Sequence, residues 1–375
     1  MIFPIFKHWY NKNIMHRIFL SVSFWLPVFG RKVFNVKYFV TTQIKFEELK
    51  VKYWKRNQTN MLGTSAGVHS QISRLPKITV IIASYNSLSQ SYLAECLESV
   101  KKQNYKGDMD IVIADGGSTD GSVERCKKYG AKVVHNSNKT ELGFEGGKNL
   151  ALKCSKGELI AIVDADNILM EESYITQLVY PFMEDGNISM SFPAPYIPSK
   201  KECTGLCRYI CCLERDLFEK YYKGIDHGSW IEIQPDDIII PNGAIIKKDA
   251  LDKIGGWDYD TEVGYRLVIS RLNKFAYVPN VHRFHKEMLN YNDVKRKFAR
   301  RIINHINVSK KGKKARIQME INEQTKKKSK YIKEELSPLI NLFKKKDFCY
   351  IHAIPVFMIK TILVLKYYKN LTNPN

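Results

Sequence analysis

The chain has 375 residues, 44% hydrophobic and 26% charged, a globular balance that excludes a disordered chain and leaves ample material for a core. Lysine and arginine outnumber aspartate and glutamate by 59 to 38, a net charge of +21. A polyanionic partner is therefore expected: phosphates, anionic lipid or nucleic acid. The eight cysteines are scattered through a chain too large to need disulfides, and read as reduced thiols in a cytoplasmic setting.

In chain order, apolar Ile18 to Gly30 is too short for a spanning helix and lacks a small-residue cleavage site, so no signal peptide is expected. An extension over residues 1–75 closes in the Gly/Ser-rich linker GTSAGVHS. KITVIIAS (Lys77 to Ser84) is a β-branched strand, followed by the loop YNSLSQS and the helix YLAECLESVKKQ. DIVIAD (Asp110 to Asp115) is a second strand, ending in the turn GGSTDGS, where Asp120 is placed to cap a helix starting near Val123. AKVVHN (Ala131 to Asn136) is a third strand, Gly147 to Ser155 a helix, and ELIAIVDAD a fourth strand. Strands apolar on both faces, alternating with helices, predict a three-layer α/β/α fold with a mostly parallel central sheet. Ligands in such folds bind beyond the carboxyl ends of the strands, where Ser84, Asp115 and Asp164 fall. From Asp293 onward the chain is dense in lysine and arginine. The apolar segment Phe348 to Tyr368 follows, interrupted by His352, Pro355 and Lys360, and reads as an interfacial helix rather than a span. The domains expected are 1–75, 76–286 and 287–375.

Asp164 and Asp166 are separated by Ala165 alone. On an extended strand end they would project to the same side and could share one divalent cation. Hard oxygen donors suit Mg²⁺ or Mn²⁺, completed by phosphates and water. His282 and His285, in VPNVHRFHKE, are candidates to complete the shell, with His285 favoured. In CTGLCRYICC, Cys203, Cys207 and Cys211 would line one helix face and read as packing thiols rather than a zinc site.

The order VIIASYN, IVIADGGSTDGS, GFEGGKNLAL and IAIVDAD, from about Lys77 to His285, resembles the family 2 glycosyltransferases and their Rossmann-like GT-A fold. The resemblance implies a nucleotide-diphosphate sugar donor, UDP- or GDP-linked, and a metal on the Asp-x-Asp: Asp166 the ligand, with Asp164 toward the ribose and metal-bound water. It places Ala83, Tyr85 and Asn86 at the nucleoside, with Tyr85 stacking on the base. It also places Asp115 at the base's N–H, Lys148 near the diphosphate and Ala165 within the binding motif. Where the family usually shows Asp-Asp-Gly-Ser, this sequence has ADGGSTD. The glycines at 143, 146 and 147 would allow close backbone approach to a ligand.

Inverting transfer needs a general base for the acceptor hydroxyl. By resemblance the base falls on Asp260, with Glu262 as competitor; the family's preceding Glu is Tyr259 here. Asp258 would shape the Gly-Gly-Trp turn and Trp257 would form a stacking floor for the sugar. Lysines beside an apolar segment attract anionic headgroups. The expected setting is thus peripheral on the cytoplasmic face of the cell membrane, with a lipid-linked or glycan acceptor and no nucleic-acid partner. Two alternatives stand beside this reading: a sugar-nucleotide-binding scaffold without catalysis, and nucleic-acid binding through the basic tail.

Overall fold

The computed structural model describes residues 74–90, 93–137, 139–198, 204–218, 223–234, 242–257, 260–285, 290–310, 338–344 and 347–372. The expected linker at Gly63 to Ser70, Cys203, Asp258, Tyr259 and the basic runs after residue 310 lie outside them. The chain divides into two compact units, Met1–Ser73 and Arg74–Asn375, and every described residue belongs to the second.

Strand β1 (Ile78–Ser84) is buried along its whole length, as seven mostly β-branched residues covered on both faces require. It pairs in parallel with β2 (Met109–Asp115) on one side and β4 (Leu159–Ile162) on the other. Helix α1 (Leu93–Lys101) connects β1 to β2 and buries Leu93, Cys96, Leu97 and Val100, the i, i+3, i+4, i+7 stripe of a core-facing helix. Helix α2 (Ser122–Lys128) leads to β3 (Lys132–His135), and α3 (Lys139–Lys153) leads to β4. Period-two alternation splits β1 between two cores. Val80 and Ile82 join the α1 side, whereas Ile81 packs with Ala151, Leu152 and Trp257 on the other.

Beyond β4 come β5 (Asn167–Leu169), α4 (Tyr174–Glu184), β6 (Met190–Pro193), β7 (Ile197–Pro198) and α5 (Gly205–Phe218). Strands β8 (Ile225–Asp226), β9 (Ile231–Ile233) and β10 (Ile245–Lys247) follow, then α6 (Lys248–Lys253), α7 (Asp260–Ile269), β11 (Phe275–Val278) and β12 (Arg283–His285). The large sheet runs β3-β2-β1-β4-β10-β6-β11-β9-β8, parallel through its first four strands, with β10 antiparallel to both neighbours. A small sheet, β5-β12-β7, stands apart. The architecture is the expected α/β one, a large and mostly parallel sheet between helices.

In the C-terminal arm, α8 (Tyr291–Lys310), α9 (Pro338–Lys344), a 3₁₀ segment at Phe348–His352 and α10 (Ala353–Thr372) are described. The segment read as interfacial is thus largely helical, and it buries Leu363 against Ile302 of α8. Among the described residues no helix is long and apolar enough to cross a membrane.

Candidate active site

The carboxyl ends of β1, β2 and β4 share one edge of the sheet: Ser84 is in register with Asp115, and Val163 N–H donates to the Ile81 carbonyl just past β4. The two acids sit immediately beyond. They are not on an extended strand, as the sequence suggested. β4 ends at Ile162, and the chain turns through Ala165–Asp166, with Asn167 N–H donating to the Asp164 carbonyl at 2.9 Å. The carboxylates converge through that turn rather than through strand alternation.

One oxygen of each acid and a ring nitrogen of His285 lie within 4.8 Å of one another. His285 Nε2 is 3.5 Å from Asp166 Oδ1. The small sheet brings them together, since β12 pairs with β5 so that His285 stands opposite Asn167. Two carboxylates and an imidazole are a donor set that fits a divalent cation such as Mn²⁺ or Mg²⁺. His282 is otherwise engaged: its backbone N–H donates to Glu171 Oε2 at 2.9 Å, and its Nδ1 lies 3.1 Å from Glu171 Oε1.

Lys148 completes the charge pattern. Its ammonium is 3.0 Å from Asp164 Oδ1, and its side chain is only 3% exposed. Burial raises the Asp164 carboxyl, but the charge and hydrogen bond of Lys148, with His285 and Arg283 beyond, bring it below the usual carboxylate range. The lysine reaches the acids because α3 lies close on the sheet. A Cβ on Gly147 would stand 3.0 Å from the Ala83 Cβ. Gly147 therefore serves helix-to-sheet contact, and α3 begins at Lys139 rather than Gly147; packing overrides the low helix propensity of the GFEGG run. Gly146 also lies within α3, and the surroundings of residue 143 are outside the described ones.

Three of the residues expected at the ligand are buried. Ala83 is buried under α3 at 6% exposure and Ala165 at 8%. Trp257 is wholly buried and is no exposed floor for a sugar; the Lys148 ammonium lies over its ring, 5.3 Å from the centroid. Its effect on the site is to support that lysine from beneath.

Asp115 is 4% exposed and organises its own loop. Its Oδ2 accepts from the N–H groups of Gly117 and Ser118, both at 2.8 Å, and its Oδ1 accepts from the Ser118 hydroxyl at 2.5 Å. Asn86 ties this loop to the first one. Its N–H donates to Ser118 Oγ and its Oδ1 accepts from Thr119 N–H, each at 2.8 Å. That exchange holds Asn86 at φ 47°, a left-handed conformation asparagine tolerates. Tyr85, 41% exposed, stands on the loop between them. Asp120 accepts from Ser122 N–H at 3.1 Å and from the Ser122 hydroxyl at 2.5 Å, but it is not the cap expected of it: the N-cap of α2 is Gly121, and no side chain caps that helix.

Arg283 escaped the sequence reading. It is 2% exposed and occupies the same face of β12 as His285; its Nη1 donates to the Ala194 carbonyl at 3.2 Å and its Nη2 is 3.8 Å from Glu214 Oε1. Tyr196 lies between the two, 4.9 Å from the His285 ring and 5.8 Å from the guanidinium carbon. The available signal was the alternation in His-Arg-Phe-His, which puts an arginine two residues from a candidate ligand. Asp260 opens α7, but its carboxylate lies outside the described side chains. Glu262, the competitor expected for that role, is 2% exposed.

The profile of glycosyl transferase family 2 matches residues 79–254, the segment that supplies both acids and Lys148. The glycosyltransferase GlyG of Streptococcus pneumoniae serotype 4 is 38% identical over 213 residues, covering 54% of this chain and 67% of that protein. The enzyme WfaP of Escherichia coli, a UDP-Glc:α-D-GlcNAc-diphosphoundecaprenol β-1,3-glucosyltransferase, is 31% identical over 130 residues, 34% of this chain and 50% of that one. Among solved structures, the Pyrobaculum calidifontis mannosyltransferase PcManGT with GDP-Man and Mn²⁺ superposes with a TM-score of 0.46 at 15% identity, covering 88% of this chain and 86% of that one. By the profile match and the similarity to GlyG over two-thirds of its length, the chain belongs to glycosyl transferase family 2 and is a glycosyltransferase.

Proposed function

We propose that the protein is an inverting, metal-dependent transferase that moves a sugar from a nucleotide-diphosphate donor, UDP- or GDP-linked, to a hydroxyl acceptor. The carrying observation is the convergence of Asp164, Asp166 and His285 beside a buried lysine at the carboxyl end of the sheet. Asp166 and His285 would hold Mn²⁺ or Mg²⁺, since Asp164 is already compensated by Lys148. A cation bound there supplies positive charge to the leaving diphosphate. Lys148 adds a fixed positive charge 3.0 Å from Asp164, in a site where its own burial strengthens the interaction. The Asp115–Ser118–Asn86 network sets the rim on which Tyr85 can stack against the base. Asp260, at the start of α7, takes the proton of the attacking hydroxyl, which displaces the nucleotide from the opposite face of the anomeric carbon.

The acceptor class is a lipid-linked saccharide or a surface glycan, reached at the cytoplasmic face of the membrane. What supports this is the C-terminal arm, which exposes Ile340, Phe343, Phe348 and Ile351 in a chain of net charge +21. Aromatic and aliphatic side chains beside lysines bind anionic bilayers without spanning them.

The test is a panel of UDP- and GDP-sugars, with and without Mn²⁺, read by thermal shift on the full chain. One donor should raise the melting temperature only when metal is present. Asp260→Asn should then abolish transfer while that shift survives. Loss of both together, or transfer undiminished in the variant, overturns the assignment of the base.

A further inference from the structure

Away from the acids, α5 presents a second cluster to the C-terminal arm. Arg208, Cys212 and Asp216 recur every four residues and form one stripe along the helix. Each meets the arm. Arg208 Nη2 lies 2.9 Å from Asp347 Oδ2, Cys349 Sγ lies 3.7 Å from Cys212 Sγ, and the Tyr350 hydroxyl donates to Asp216 Oδ2 at 2.6 Å. Both cysteines are buried, Cys212 at 4% and Cys349 at 7% exposure, in a small apolar cluster with Leu206, Tyr209 and Val356. Of the packing stripe read from the sequence, Cys203 lies outside the described residues, Cys207 is buried and Cys211 half-buried. Cys212, not Cys211, is the buried thiol that faces another sulfur.

We propose that Cys212 and Cys349 form a redox-active dithiol, which a peroxide closes to a disulfide that fastens the C-terminal arm covalently to α5. The Cys349 thiol already donates toward Cys212, and Arg215 Nη2 lies 3.3 Å from the Cys212 sulfur. A donated hydrogen and a nearby guanidinium both favour a thiolate. The hydrogen bond from Cys349, opposed by burial and helped by Arg215, lowers the Cys212 thiol to about 7. In the first step the Cys212 thiolate attacks one peroxide oxygen, the O–O bond breaks, and hydroxide leaves as water with the thiol's former proton. The Cys349 sulfur then attacks the resulting sulfenic sulfur, the S–O bond breaks, and a second water carries away the Cys349 proton. Two thiols lose two electrons and the peroxide gains them.

The same atoms invite a metal reading, because both sulfurs and an Asp347 oxygen lie within 4.8 Å of one another. The charges argue against it. Arg208 already neutralises Asp347, and Arg215 already stands on Cys212. A divalent cation would enter against two fixed guanidiniums, whereas a neutral peroxide meets no such repulsion.

The test treats the full chain with a small excess of hydrogen peroxide, followed by alkylation and peptide mapping. A Cys212–Cys349 linked peptide should form in several-fold higher yield than oxidation of the half-buried Cys154 and Cys211, and a dithiol reductant should reverse it. Cys349→Ser should trap a sulfenic acid on Cys212 that reacts with dimedone, while Cys212→Ser should leave Cys349 unoxidised. Circular dichroism of the reduced variants checks their folding, and the wild-type map stands without them. Either of two results overturns the proposal: both thiols still alkylatable once Cys154 and Cys211 are oxidised, or equimolar zinc on the purified chain that both serine variants lose.

Discussion

His285 Nε2 stands 3.5 Å from Asp166 Oδ1 because β12 hydrogen-bonds beside β5, the strand just after the acid pair. A contact so placed is set by strand register rather than by a flexible loop. His285→Gln and Asp166→Asn should each weaken Mn²⁺ binding by on the order of 10–100-fold or more, the loss already seen when metal-site partners outside the ligand shell are removed. Titration calorimetry checks this, and unaltered affinity in both variants would remove these residues from the metal site.

Lys148 and Asp164 form a sheltered ion pair at the site, with the lysine 3% and the aspartate 25% exposed. Removing one partner of a fully buried pair costs about 3–5 kcal/mol. The partial exposure of Asp164 reduces that expectation to about 1–3 kcal/mol for Lys148→Met. Urea unfolding measures the loss, and Lys148→Met with Asp164→Asn together should lose less than the two singles added.

Gly147 allows α3 to lie against β1, where any Cβ would meet Ala83 at 3.0 Å. Gly147→Leu should destabilise the fold by about 1–3 kcal/mol through overpacking. It should also weaken donor binding, because the next residue is Lys148. A variant of wild-type stability and affinity would show that α3 can shift outward without consequence.

The pair Asp185–Lys274, at 2.5 Å, joins the end of α4 to the start of β11. The hydrogen bond from Lys274, with one from Asn187 N–H, holds Asp185 below its ordinary range, and the bond to Asp185 holds Lys274 above its own. A lowered carboxyl stabilises above its unfolded pKa and loses that contribution as pH falls through the folded value. A raised ammonium stabilises below its unfolded pKa and loses its contribution as pH rises through the folded value. Asp185→Asn should therefore flatten both the acid and the alkaline limbs of the stability–pH curve, by about 1 kcal/mol or less. Chemical denaturation across the pH range checks it.

Much of the parallel sheet was legible because its signals are local. The β-branched run at Ile78–Ser84 reads as a strand covered on both faces, and the acids follow directly on the apolar run of β4 that ends at Ile162. The GFEGG segment misled because its glycines favour a turn, whereas in the fold they lie within α3 and Gly147 packs closely on Ala83. Trp257 misled for a related reason: an aromatic after two glycines looks exposed until the core cluster around Ile81 is assembled over it.

The amino-acid order by itself determined the strand–helix alternation, the presence of a paired-carboxylate motif and the family, since each depends on neighbours along the chain. The three-dimensional arrangement alone decided which of two histidines faces the acids, that Arg283 lies buried behind them, and that Cys212 meets Cys349. Those pairings join residues far apart in sequence. Their partners are chosen by strand register and helix packing, which no local pattern encodes.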